Sequence, residues 1–128
     1  NIKSLTQAEA KDIYFHDYWC ANQCHLLPDP IAIALFDACV NHRARTAKQI
    51  LQKSVGANTD GIIGPKTIAL IEACDQRQVL TKYFANRAEF YHLLVRADSR
   101  RSRFIKGWFK RLFKLQQFIL QEFWPWLP

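Results

Sequence analysis

Between Gln76 and Val95 the apolar side chains fall at Leu80, Tyr83, Phe84, Ala88, Tyr91, Leu94 and Val95, so that each turn of three or four residues brings another one. That spacing brings an apolar group to one face of an α-helix on every turn, whereas one face of a strand recurs at every second residue. The same period runs through most of the chain. No stretch of alternation competes with it, and no internal repeat or low-complexity segment interrupts it. The expected fold class is all-α, with about six helices.

The boundaries of those helices are written in local chemistry. Thr6-Gln7-Ala8-Glu9 has the capping-box pattern, in which the Thr hydroxyl and Glu carboxylate satisfy free backbone donors, so a first helix is expected from Thr6 to about Tyr18 with Glu9 as part of the cap. In LPDP, Asp29 can cap and Pro30 suits a first helical turn. The helix that follows, IAIALFDACVN, is strongly apolar and expected to be central, with Ile31, Leu35, Ala38 and Cys39 on one side. Asp37 and Asn41 lie four apart and share a face, where they either point together into a cleft or bond to each other. A third helix, TAKQILQKSV, is stopped by Gly56.

DGIIGPKT, from Asp60 to Thr67, is turn chemistry in the midst of helix formers. Asp can bond its own backbone and Gly tolerates positive φ, so Asn58 to Gly61 reads as a turn, with Ile62 and Ile63 as two apolar anchors. Pro65 then opens a helix to Cys74, with Ile68 and either Ile71 or Leu70 facing inward. A fifth helix runs from Gln76 to Val95. After ADSRRS, a sixth from about Arg103 to Phe123 places Phe104, Ile105, Trp108, Leu112, Leu115, Ile119 and Phe123 on a wide apolar arc, with Arg103, Lys106, Lys110, Lys114 and Gln121 opposite. The tail FWPWLP is too apolar for an ordinary solvent-exposed linker.

At 128 residues and 49% hydrophobic content the chain can bury a real core as one compact unit. Residues 1–55 and 56–128 are expected as two helical parts packed together. No segment approaches the roughly 18 to 20 uninterrupted apolar residues of a bilayer-spanning helix. The opening NIKSLTQAEAKD has neither the basic start nor the apolar middle of a signal peptide.

The net charge of +7 is local. Arg100, Arg101, Arg103, Lys106, Lys110, Arg111 and Lys114 carry it with no acid between them, and the remainder balances. A surface of this kind attracts polyanions: nucleic acid, anionic lipid head groups or acidic wall polymers. With aromatics on its other face, the 103–123 helix also has the composition of a segment that lies on anionic membranes. No motif supports specific nucleic-acid recognition. Cys20, Cys24, Cys39 and Cys74 lack the paired spacing of a zinc site, so no metal and no cofactor are expected. A Cys20–Cys24 disulfide requires a backbone that suits its short reach.

Taken together, DYW (Asp17 to Trp19), LPDPIAIALFDACVN, AKQILQKSVGANTDGIIGPKT (Ala47 to Thr67) and FIKGWFKR (Phe104 to Arg111) resemble glycoside hydrolase family 108, whose members are phage endolysins and related bacterial muramidases. DGxxGPKT is also similar to an element of peptidoglycan-binding domains. The resemblance implies a lysozyme-like helical domain acting at the bacterial cell wall or periplasm. Its family reaction is hydrolysis of the bond between N-acetylmuramic acid and N-acetylglucosamine, and its C-terminal part binds peptidoglycan.

The family's catalytic Glu lies in an N-terminal EGG motif that this chain lacks, so no Glu here inherits the acid role and no catalytic residue is assigned. The expectation is the C-terminal two thirds of a muramidase, with the catalytic segment missing and an exposed groove or a second copy covering the place where it packed. The alternatives are a non-catalytic wall-binding or assembly module and a membrane-active C-terminal helix. Sugars are held by aromatic faces and by amide or carboxylate groups. The candidate ligand residues are therefore Tyr18, Trp19, Asp37 and Asn41, with Tyr14 beside them, and Asp60, Gly61 and Lys66 from the DGxxGPKT element.

Overall fold

The computed structural model describes residues 6–128, with the side chain of Tyr14 outside the described residues. Six α-helices follow one another: α1 Gln7–Tyr14, α2 Asp29–Asn41, α3 Ala44–Val55, α4 Pro65–Ala73, α5 Gln76–Ala97 and α6 Ile105–Glu122. No strand occurs among the described residues.

Local signals place most of the boundaries where the residue types put them. Thr6 Oγ1 accepts from the Glu9 N–H at 3.1 Å, forming one half of the expected cap. Pro65 stands in the first turn of α4, and Gly56 ends α3 at φ 74°. Asp75 caps α5 by accepting from the Arg77 and Gln78 N–H groups. The first helix departs from expectation after Tyr14. Phe15–Cys20 is π-helical, with the Ala21 N–H reaching the His16 carbonyl five residues back, and this wider turn carries Trp19 toward α2.

α2 is the central helix. Ile31, Ala32, Ala34, Leu35, Ala38 and Cys39 are all buried, and α2 packs on α3, α5 and the C-terminal helix α6. α5 contributes Val79, Leu80, Tyr83, Phe84 and Tyr91 to the same core, and α6 closes it with Leu112 and Ile119. The apolar arc of α6 faces α5, although Phe113, Phe118 and Leu120 remain exposed. Phe104 was expected within that arc but is 45% exposed. It belongs to a 3-10 turn, Ser99–Phe104, whose tighter winding breaks the α-helical phase before α6 begins.

The FWPWLP tail packs on the core through Trp124 and Leu127 and is tied to α5 by Arg77. The Arg77 guanidinium lies 5.5 Å from the Trp124 ring centre and donates to the Trp124 carbonyl at 2.8 Å. All four cysteines are free thiols, and burial pushes Cys24 up to about 12 and Cys39 to about 11. Neither is a ready nucleophile at neutral pH. Among the described residues no group of three or more His, Cys, Asp or Glu could hold a metal ion, and no helix is long and apolar enough to cross a membrane.

The Asp60–Thr67 element is a corner built around a residue that the sequence did not single out. Gln52 is fully buried on α3. Its Nε2 donates to Asp60 Oδ1 at 2.8 Å, to the Ile62 carbonyl at 2.8 Å and to Thr67 Oγ1 at 3.2 Å, while its Oε1 accepts from the Gly61 N–H at 2.8 Å. Of the two expected isoleucine anchors only Ile63 is buried, and Ile62 is 65% exposed. The Ile62 backbone is held from both sides, by Asp60 and by Gln52, and its side chain is turned outward. Gly61 sits at φ 78°, and a Cβ there would come within 2.8 Å of Arg45 Cγ, so this position favours glycine on two counts.

Candidate functional site

A groove of about 440 Å³ opens between the N-terminal segment, α2 and α6, lined by Lys11, Phe15, Trp19, Phe36, Asp37, Val40 and Arg111. The π-turn presents Trp19 so that its ring meets Phe36 at 5.7 Å between centres, and both are half-buried against the core. Phe15 is 50% exposed and Val40 is 38% exposed, so much of the wall is apolar surface open to a ligand. Lys11 and Arg111 add cationic donors.

Asp37 is the groove's carboxylate, and it is already engaged. Its Oδ2 accepts from Arg87 Nη1 at 2.8 Å, and its Oδ1 lies 3.8 Å from Arg111 Nε. Arg87 is wholly buried on α5, at a position of the apolar stripe. Its Nη2 contacts Tyr91 Oη at 3.3 Å and His42 Nε2 at 3.5 Å, while Nε has no hydrogen-bond partner. A buried guanidinium requires a counter-charge, and Asp37 supplies it from a helix 50 residues earlier.

His42 shows the field of that cation. Burial pushes its imidazole down to about 4, Arg87 adds to the shift, and Asp37 opposes it. The Arg87 N–H points at Nε2, which can accept only while it is unprotonated. The ring is also enclosed by Phe90 and Tyr91, at 5.3 and 5.2 Å between centres. Because the folded value lies below the ordinary 6.5, the neutral form is favoured by folding. This stability is fully present above about pH 6.5 and is lost as pH falls through the window down to about 4. The loss approaches roughly 3 kcal/mol at most. His42→Gln keeps an acceptor and removes the titration, so urea midpoints measured between pH 7 and 4 are expected to fall less steeply for that variant than for the wild type. Parallel slopes would refute the assignment.

The structure brings together only some of the expected ligand residues. Trp19 and Asp37 share the groove. Asn41 lies one turn beyond Asp37 but donates from Nδ2 to the Asp37 backbone carbonyl at 2.8 Å, so its bond is not to the Asp37 carboxylate. Tyr18 is half-buried next to Trp19, outside the groove lining. Asp60 and Gly61 are occupied in the corner with Gln52, and the side-chain and backbone bonds from Ile62 and Gln52 hold the Asp60 carboxyl below its usual range. Lys66 is exposed in the first turn of α4, outside the groove lining. Lys11, Phe15, Phe36 and Arg111 were not picked out. Phe36 follows the buried Leu35 on α2 and so reads as core, and Arg111 reads as one charge in a basic run.

An all-α, lysozyme-like helical domain with an aromatic, charge-edged groove at its N-terminal side is the class that fold and site define. Residues 46–113 match the family described as Predicted Peptidoglycan domain, and residues 1–42 match Glycosyl hydrolase 108. The chain belongs to that peptidoglycan-domain family, in a glycoside hydrolase 108 type of arrangement. It is similar to a solved structure of SagA from Brucella abortus, with 28% identity and a TM-score of 0.80. The similarity covers 93% of this chain and 66% of that one, so this chain spans just under two thirds of that protein. No curated protein gives a match.

Proposed function

We propose that this chain is a peptidoglycan-targeting module of muramidase type and that the Trp19–Arg111 groove holds a glycan strand. The observation that carries the reading is the composition of the groove across both matched segments. Trp19, Phe36 and Asp37 come from the part that matches Glycosyl hydrolase 108, and Arg111 comes from the part that matches the peptidoglycan domain. Aromatic faces suit the apolar faces of pyranose rings, and cationic donors at the rim suit hydroxyl, lactyl and carboxylate oxygens.

The reading is of binding, with no hydrolysis by the residues of this groove. A general acid needs a carboxyl O–H aimed at the leaving oxygen, and a second group must then serve the opposite face of the sugar. Both oxygens of Asp37 face guanidinium groups. Co-sedimentation with purified sacculi is expected to recover the protein without release of reducing ends. Phe15→Ala, at an exposed aromatic, and Arg111→Ala, at a half-exposed cation, are each expected to weaken sedimentation several-fold, up to about tenfold for a loss of about 1.4 kcal/mol. Unchanged binding in both variants removes the groove from the reading. Release of muramic-acid reducing ends shows that it hydrolyses the strand as well.

A further inference from the structure

A second groove, of about 300 Å³, lies between α3 and α5 and has a different chemistry. Its floor is apolar, formed by Ile50, Phe90 and the 46% exposed Leu93. Its rim carries one cation and one anion, Lys53 and Glu89, whose Nζ and Oε1 are 3.3 Å apart and whose side chains are 57% and 54% exposed. Thr59 edges the groove from the corner loop, tied to α3 where Gln49 Nε2 donates to the Thr59 carbonyl at 3.1 Å. Every residue lining this groove falls within 46–113, the segment that matches the peptidoglycan domain, whereas only Arg111 of the first groove does.

We infer that the α3–α5 groove binds the short peptide that peptidoglycan carries on its glycan strands, with a ligand amine at Glu89 and a ligand carboxylate at Lys53. This rests on the peptidoglycan reading above and assigns the peptide to a site separate from the glycan. Charge complementarity selects this ligand. A stem peptide is short, carries small alanine side chains, and offers the side-chain amine of its diamino acid beside carboxylates, the two signs that this rim can pair. A glycan strand without its peptides offers no amine for Glu89. An exposed ion pair such as Lys53–Glu89 is weakly held in water, so a ligand carrying both charges can open it and replace each half with an equivalent contact. The amide of Asn86, fixed by donation to Ser54 Oγ at 3.0 Å, adds a polar group at the same wall.

The test uses the full chain and three probes: intact sacculi, glycan strands stripped of peptide by an amidase, and the free tripeptide L-Ala–D-Glu–diaminopimelate followed by NMR titration. The tripeptide is expected to shift the amide signals of Lys53, Asn86 and Glu89. Lys53→Glu and Glu89→Lys are each expected to weaken it at least fivefold and to leave binding of stripped glycan unchanged. Both positions are more than half exposed, so thermal midpoints near the wild-type value verify folding. Binding of sacculi with no tripeptide shift at this groove, or with reversal variants that bind tripeptide like the wild type, overturns the inference and leaves the glycan reading standing. Failure of the wild type to bind sacculi at all overturns both.

Discussion

Asp37→Ala is expected to destabilise the fold by about 3 to 5 kcal/mol, the usual cost of leaving a buried charge without its partner. The partner here is Arg87, which is wholly buried and has its Nε already unbonded, so the loss of Asp37 removes the one carboxylate paired with it among the described residues. Out of a total stability of about 5 to 15 kcal/mol, this is a large fraction. The thermal midpoint should drop by roughly ten degrees or more. A double variant, Asp37→Leu with Arg87→Met, separates the causes. A buried ion pair replaced by apolar side chains of similar size is often neutral or stabilising, so the double variant is expected to be more stable than Asp37→Ala alone. If denaturant unfolding places Asp37→Ala within about 1 kcal/mol of the wild type, below the range for a broken buried pair, the pair is not a structural charge lock. The result also bears on function, because a residue of the right type for a sugar ligand is here committed to the scaffold of the groove it lines.

That double commitment explains what could and could not be read from the chain. Helix class and order were legible because they are local: the three-and-four spacing in α5, the Pro65 start of α4 and the Gly56 stop of α3 need no partner elsewhere. Burial of Arg87 was half legible. It lies seven residues after Leu80, four after Tyr83 and four before Tyr91, on the same stripe, but its counter-ion sits on α2 and only the tertiary fold brings the two together. The groove was partly legible for the same reason. Trp19 and Asp37 could be named by residue type, whereas Phe15 and Phe36 take their places through the π-turn and its packing on α2, and local spacing does not encode either. Ile62 and Ile63 are alike in composition, and only the bonds that fix the Ile62 backbone decide which of them goes inside.

The two grooves are joined by a short chain of contacts. Asp37 lines the first and holds Arg87; Arg87 contacts His42; His42 meets the edge of Phe90, which forms part of the floor of the second. Each link is a packed or hydrogen-bonded pair within the core, so the positions of the two grooves are fixed relative to one another by the fold.

Gln52→Met is expected to cost about 1 to 3 kcal/mol even though it keeps nearly the same volume, because a buried polar group left unpaired costs about that much. The group stranded in the interior is the Thr67 hydroxyl, which reaches Gln52 at 3.2 Å, while the Gly61 N–H and the Ile62 carbonyl, each at 2.8 Å, lose part-buried bonds that water can replace. Thr67 retains a longer contact to the Ile62 carbonyl, at 3.5 Å, which recovers little. Because Met and Gln are close in size, a large effect points to the lost amide and not to a cavity. A second readout is independent of global stability. Bonds from the Ile62 N–H and from Gln52 hold the Asp60 carboxyl below its usual range, so in the variant its titration, followed by NMR, should move up toward the ordinary carboxylate value. A variant with near wild-type stability and an unmoved Asp60 titration would mean that the corner stands without Gln52. The expected outcome, a corner that loosens when one amide is lost, also weakens the Thr59 edge of the α3–α5 groove, because among the described residues that loop is then tied to α3 by the Gln49–Thr59 bond and the backbone bond from the Ala57 N–H to the Gln52 carbonyl, without the side-chain bonds of Gln52.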